Sequence, residues 1–256
     1  DVRTAENREG YTLPQPDALH VGPVGCARHG SYPRVHRIAR PRPIRGTLRP
    51  AALRHNRERV RAAVPDARVA AVVKANAYGH GIGRVFDSLR AADAFALIDL
   101  DEARRVRELG WRGPILLLEG VFEPRDLELC SRLGLWHAVH TEEQIDWLAA
   151  HKTQEPHHVF LKMNGGMNRL GFTPARYRSA WARLHPLPQV ADLPLMTPFS
   201  AADGTPRGVA RTRSQIHAFD ATTQALPATR CQSHRAALQS HARRSATDCT
   251  TPRAAH

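Results

Sequence analysis

Arg68-Val69-Ala70-Ala71-Val72-Val73-Lys74-Ala75-Asn76-Ala77-Tyr78-Gly79-His80-Gly81 decides how the rest of this 256-residue chain is read. Its first half is a short, valine-rich apolar run, the composition of a strand buried on both faces in a parallel sheet. One lysine closes the run, a tyrosine follows four residues on, and a Gly-His-Gly-Ile-Gly turn completes the stretch. An ammonium group buried at such a strand end is costly unless it is paired or gives up its proton. Two readings follow. Lys74 snorkels into solvent, or it is desolvated enough to serve as a nucleophile toward a carbonyl compound. The run alone does not choose between them.

Working outward, the apolar spacing of Leu53, Val60 and Val64, with Pro65 behind it, predicts a helix over 48–64. After the lysine strand, helices and strands alternate. A helix over 84–92 precedes a strand over 94–100, and Asp101 is placed to cap a helix running to Leu109 and stopped by Gly110. A strand over 114–118, a helix over 123–133 broken by Gly134 and a strand over 135–140 come next. Thr141-Glu142-Glu143-Gln144 has capping-box chemistry: the threonine accepts from the N3 amide while the glutamine reaches back. A strand over 158–164, a helix over 174–184, a weaker strand over 193–199 interrupted by Pro194 and Pro198, and a helix over 208–226 complete the series. This alternation predicts a parallel α/β fold. No G-x-G-x-x-G switch-point fingerprint is present, so a (β/α)8 barrel of the TIM type is favoured over an open sheet. Six recognisable strands cannot close eight, so the barrel is expected to be incomplete, with uncovered parallel edges.

The chain carries a net charge of +13, which raises nucleic-acid binding as a function. Its distribution argues against that. Residues 51–203 are nearly balanced at +2, and the flanks hold the other +11 with only Tyr11, Tyr32 and Phe219 among them, too few and too scattered to interleave with the charges and stack on bases. Cys26, Cys130, Cys231 and Cys249 form no C-x-x-C pair, which fits a reducing, cytoplasmic setting. Fifteen histidines include no H-E-x-x-H, and His137 and His140 lie three apart in a predicted strand and so face opposite ways; no metal site is expected. No run reaches transmembrane length, and the amino end lacks a secretory h-region.

The stretch Val73-Lys74-Ala75-Asn76-Ala77-Tyr78-Gly79-His80-Gly81 closely resembles the pyridoxal-phosphate lysine motif of alanine racemases. Leu161-Lys162-Met163-Asn164-Gly165-Gly166-Met167-Asn168-Arg169-Leu170-Gly171-Phe172 and Leu195-Met196-Thr197-Pro198-Phe199-Ser200-Ala201-Ala202-Asp203 resemble the same family in the expected order. The likeness, greatest to the catabolic bacterial type, divides the chain in three. Residues 1–42 read as a disordered extension, 43–227 as a partial racemase-like barrel, and 228–256 as a divergent, disordered tail.

The resemblance implies a pyridoxal 5'-phosphate-dependent isomerase that interconverts L- and D-alanine, supports D-alanine biosynthesis and forms a homodimer. It implies that Lys74 holds the cofactor as a Schiff base and acts as one of two acid–base groups. It further implies that Tyr78 contacts the cofactor phosphate. Arg169 would approach the phenolic oxygen and the substrate carboxylate, and Lys162 would carry a carbamate that orients Arg169. For each of these a plainer role is open: a core aromatic for Tyr78, a surface cation for Arg169, an unmodified strand-end lysine for Lys162.

The sequence also departs from the family pattern. Pro198 stands where a Thr-His-Phe-Ser pattern has its histidine. Ser233-His234-Arg235-Ala236-Ala237 resembles an Asn-Ser-Ala-Ala phosphate turn with Arg235 in place of the serine. The later Arg-x-Gly-Ile stretch and the carboxyl-terminal β domain with its second catalytic tyrosine are not recognised, and Tyr11, Tyr32, Tyr78 and Tyr177 match no such tyrosine. The expectation is therefore a truncated chain with little or no racemase activity. The alternatives are a non-catalytic pyridoxal-phosphate-binding barrel, the product of a frameshifted reading frame, and a nucleic-acid binder using the basic flanks.

Overall fold

The computed structural model describes residues 47–153 and 155–226; the expected extension, tail and phosphate turn lie outside them. Seven strands are present: β1 (Ala70–Val72), β2 (Ala94–Leu97), β3 (Ile115–Leu117), β4 (Trp136–Val139), β5 (His157–Lys162), β6 (Val190–Asp192) and β7 (Leu195–Met196). Every pairing is parallel, in the order β1-β2-β3-β4-β5-β6, with β7 also on β5. Chain order and spatial order coincide, so each crossover steps the same way around. That is barrel topology, and it leaves no switch point of the kind an open doubly wound sheet has.

The helices between them are α1 (Pro50–Ala63), the single turn α2 (Lys74–Tyr78), α3 (Ile82–Leu89), α4 (Leu100–Glu108), α5 (Asp126–Leu133), α6 (Glu142–Ala150), α7 (Pro174–Leu184) and α8 (Pro206–Thr223). Side chains alternate across the sheet as the strand period requires. Phe95, Leu97, Ile115, Leu117, Val139, Val159 and Leu161 point into the core shared with the helices. Ala96, Leu116, Ala138, Phe160 and Met196 form a second buried cluster on the other face. Burial on both faces explains why β2 to β5 read as apolar runs. β1 departs from the expectation, since at the end of the strand order it pairs only with β2, and Ala70 is exposed with Ala71 and Val72 half-buried. No helix among the described residues is long and apolar enough to cross a membrane.

Three expectations need correction. The strand at Ala94 ends at Leu97 rather than continuing to Leu100, because Asp99, not Asp101, caps α4: one Asp99 carboxylate oxygen accepts from Asp101 N at 2.8 Å and Glu102 N at 3.2 Å. The strand expected over 193–199 is two separate pieces. Pro194 has no N–H to give a ladder, though its carbonyl still accepts from Leu161 N at 2.9 Å, and β6 and β7 sit on successive parts of β5. The strand count among the described residues is thus seven, not six.

At the amino ends of β4 and β5 three histidine rings crowd together. His137 and His157 are 0% and 2% exposed, with ring centroids 5.1 Å apart edge to face, and His151 lies 5.3 Å from His157. Both ring nitrogens of His137 and of His157 are buried without a hydrogen-bond partner. Burial, and then the charges of His157, His151 and His158, pull the His137 pKa down to about 3; burial, and then His151 and His158, bring His157 to about 4.

Candidate functional site

Because every strand runs the same way, the residues that follow them gather at one end of the sheet, where barrels of this kind place their chemistry. Lys74 follows β1 and is half-buried, with Val73 N–H tied to the Ala96 carbonyl at 2.8 Å beneath it. The chain then winds left-handed for one turn: Ala75, Asn76, Ala77 and Tyr78 have φ of 52, 53, 55 and 54°. Each such residue costs about 1–2 kcal/mol, and strain of this kind persists where surrounding structure enforces it, often at functional sites. Here the enforcement is visible. Asn76 Oδ1 accepts from Ile82 N at 3.0 Å, Glu102 accepts from Asn76 N, and Gly81 N donates to the Asn76 carbonyl at 2.8 Å. Replacing exposed Ala75 with glycine should relieve part of the strain and raise the melting temperature by about 2 °C, net of the unfolded-state entropy it adds. A lower melting temperature in a thermal scan would show that the turn is not strained at that position.

Lys162 ends β5 on the same sheet face as Phe160 and is 1% exposed. Its Nζ donates to the Leu118 carbonyl at 2.8 Å, across from the end of β3. Burial lowers its pKa to about 8; the Glu119 carboxylate works in the opposite direction, while the positive charges of Arg169 and Lys74 lower it further. The influence of both cations on one amine places Lys74, Lys162 and Arg169 in a single electrostatic neighbourhood.

Arg169 is carried by a loop that leaves β5 and folds back on it. Asn164 N donates to the Phe172 carbonyl at 2.8 Å and Phe172 N to the Lys162 carbonyl at 2.9 Å. Within the loop, Asn164 Oδ1 accepts from Gly166 N at 3.1 Å and Asn168 N at 2.9 Å. Gly171 allows the closure: its φ is +123°, and a Cβ there would sit 2.5 Å from Asn164 N. Arg169 itself is exposed and forms no ion pair among the described residues. Its five donors are available to an oxyanion.

Tyr78 is 61% exposed, so it is no core aromatic, and its hydroxyl has no hydrogen-bond partner among the described residues. The structure does not bring it against Lys162 or Arg169. Pro198 is buried, and its carbonyl accepts from Gln215 Nε2 at 3.2 Å. Thr197 Oγ1 donates to the Met163 carbonyl at 3.2 Å.

The sequence reading missed Glu119, His140 and the role of Gln144. The capping box is only half formed. Thr141 Oγ1 accepts from Gln144 N at 3.3 Å, but the glutamine side chain bypasses the Thr141 amide and accepts from His140 N at 2.9 Å instead. Its Nε2 donates to the carbonyls of Glu119 at 3.1 Å and Val121 at 3.0 Å. Glu119 follows the apolar run Ile115–Leu118, and a lone carboxylate closing such a strand is the sequence signal for it.

The described donor set fits a phosphorylated, carbonyl-bearing cofactor. The half-buried Lys74 amine shares an electrostatic neighbourhood with Lys162 and with the exposed Arg169 fork, which is open to an oxyanion, while Tyr78 stands apart with its hydroxyl exposed.

Residues 48–251 match the family model described as alanine racemase, N-terminal domain. The alanine racemases of Acidovorax sp. (strain JS42) and Delftia acidovorans (strain DSM 14801 / SPH-1) are 73% and 66% identical over 201 and 197 residues. Those alignments cover 78% and 77% of this chain and 54% and 53% of the relatives, so the chain spans about half the length of the curated proteins it matches. Among solved structures, the biosynthetic alanine racemase of Pseudomonas aeruginosa superposes with a TM-score of 0.64 at 39% identity, over 69% of this chain and 49% of that one. The histidine racemase of Leuconostoc mesenteroides gives 0.66 at 29% identity, over 73% and 51%. With the family model covering most of its length and these identities behind it, the chain belongs to the alanine racemase family.

Proposed function

We propose that this site holds pyridoxal 5'-phosphate through Lys74 and serves the interconversion of L- and D-alanine. What supports the proposal is the placement of Lys74 just after β1, Lys162 at the end of β5 and Arg169 in the loop beyond it, all at the carboxyl end of one parallel sheet, with the charges of Lys74 and Arg169 acting on the buried Lys162 amine. When bound, the cofactor supplies the electron sink that makes an amino acid α-hydrogen acidic. The remaining work falls to the chain. Lys74 would hold the cofactor, and its amine would serve as the base on one face of the α-carbon. The Arg169 guanidinium meets the substrate carboxylate or the phenolic oxygen with a planar fork of donors. Tyr78 offers its hydroxyl to the phosphate.

Lys162 with a pKa of about 8 has free amine present near neutral pH. That form adds carbon dioxide to give a carbamate and release one proton, turning a cation beside Arg169 into an anion. Alanine is preferred as substrate because relatives at 65% identity and above are named alanine racemases, whereas the histidine racemase stands at 29%. We carry a homodimer and a cytoplasmic setting from the family as part of the same proposal.

Inversion needs a second base on the opposite face. Among the described residues, Tyr177 is buried with its hydroxyl on the Leu161 carbonyl at 2.8 Å, and Tyr78 shares a turn with Lys74, so neither described tyrosine is placed for it. This chain by itself is therefore expected to bind the cofactor but to racemise alanine poorly. Titrating the purified protein with pyridoxal phosphate should produce a visible absorption band that Lys74→Ala abolishes. An unchanged band in that variant would sink the assignment. Turnover by this chain comparable to that of a full-length relative would overturn the expectation of poor activity alone.

A further inference from the structure

Leu118, Glu119 and Val121 each turn a carbonyl oxygen inward as the chain leaves β3, and all three are taken up by side chains from α6, from β5 and from His140, the residue just after β4. Lys162 Nζ donates to Leu118 O at 2.8 Å. His140 Nε2 lies 2.9 Å from Glu119 O, and Gln144 Nε2 lies 3.1 Å from the same oxygen and 3.0 Å from Val121 O. Gln144 is 5% exposed, and its Oε1 is tied to His140 N at 2.9 Å, so one amide group bolts the exit of β3 to the exit of β4. The loop leaves no slack on the other side. Gly120 has a φ of +74°, and a Cβ there would meet the Ala138 carbonyl oxygen at 2.1 Å and Gln144 Nε2 at 2.8 Å.

We propose that Gln144 is a positioning residue for the site: by clamping the Glu119 and Val121 carbonyls it fixes the Leu118 carbonyl on which the Lys162 amine rests, and so holds that amine dry beside Lys74 and Arg169. A buried amide that makes three bonds to fixed backbone groups is costly to disturb, because each lost partner leaves a desolvated carbonyl behind. The groups that act on Lys162 are Glu119 from the clamped loop, Arg169 from the loop after β5, and Lys74 from the turn after β1; His140, next to the clamp, feels Lys162 in turn. Removing the clamp frees the loop, admits water to the amine, and undoes the burial that dominates its titration.

The inference rests on the reading of Lys74, Lys162 and Arg169 as one site, but its test does not require cofactor or turnover. The chain has only three lysines, Lys74, Lys152 and Lys162, so 13Cε-lysine labelling gives an assignable NMR titration of the full chain in bicarbonate-free buffer. In Gln144→Met, which keeps length and apolar volume but neither donates nor accepts strongly, the Lys162 midpoint is expected to rise by about one pH unit, a tenfold change in its acid constant. The exposed Lys152 should not move. An unchanged Lys162 midpoint in folded Gln144→Met overturns the proposal. If that variant does not fold, the wild-type chain decides through hydrogen exchange of the Gln144 side-chain amide. Protection there supports the clamp, and exchange at the rate of a free amide removes it. A shifted Lys162 midpoint together with no Lys74-dependent absorption band would leave the clamp standing and defeat the cofactor assignment instead.

Discussion

Lowering the pH from 7 to about 4.5 is expected to destabilise the fold by about 5 kcal/mol, and His137→Phe to recover close to half of that loss. His137 and His157 have folded pKa values of about 3 and 4, below the ordinary 6.5. In the unfolded chain both imidazoles take up protons below about pH 6.5, whereas in the folded chain they stay neutral. Stability is therefore complete above that pH and falls as pH drops, by about 1.4 kcal/mol per unit for each ring, levelling off only near the folded values. The total is comparable to the stability of a typical domain, about 5–15 kcal/mol. Phenylalanine keeps the edge-to-face packing on His157 and removes one titration and two unpaired nitrogens. At about pH 5 the variant should gain about 2 kcal/mol on the wild type relative to about pH 8, or about 4–8 °C in melting temperature. Thermal scans across this range decide it, and equal pH dependence in the two proteins would mean that His137 is not buried neutral.

Gly171→Ala is expected to cost about 3 kcal/mol or more and to displace the loop that carries Arg169. The new Cβ would lie 2.5 Å from Asn164 N, 2.7 Å from the Met163 carbonyl carbon and 3.1 Å from the Lys162 carbonyl oxygen. All three are backbone atoms of the segment the loop folds back on, so no rotamer change relieves the clash, and φ is +123° besides. Gly134→Ala is the matched control. Gly134 caps α5 at φ +57° with nothing within 4 Å of its virtual Cβ, so only the left-handed penalty of about 1 kcal/mol applies. Denaturant unfolding of the two variants measures the difference. Equal losses would show that the Met163–Phe172 closure is looser than its hydrogen bonds indicate.

What the sequence disclosed followed from signals local to each segment. The helix over 174–184 is found to the residue, since Pro174 opens it, and α5 stops at Gly134 as expected because the chain turns left-handed there. Lys74, Lys162 and Arg169 could be singled out as candidates because each sits in a contiguous motif, and the positive charges of Lys74 and Arg169 act on the Lys162 amine. Errors arose where two local options competed. Asp99 and Asp101 both qualify as caps; the earlier one wins because its carboxylate captures two amides, which ends β2 at Leu97. Gln144 could bond back to its own helix start, but carbonyls arriving from the β3 exit claim its amide. Glu119, His140 and Gln144 owe their roles to neighbours more than twenty residues apart in sequence, or to a loop that only a neighbouring strand positions. No local period encodes that.

The two chemically demanding groups of this fold stand at opposite poles of the same strand. His157 opens β5 and Lys162 closes it, a rise of about 16 Å at the usual spacing of an extended chain. Acid tolerance can therefore be engineered into the imidazole trio at the floor of the sheet without touching the cationic cluster at its other end. Hardening the scaffold and tuning its chemistry are, for this architecture, independent problems.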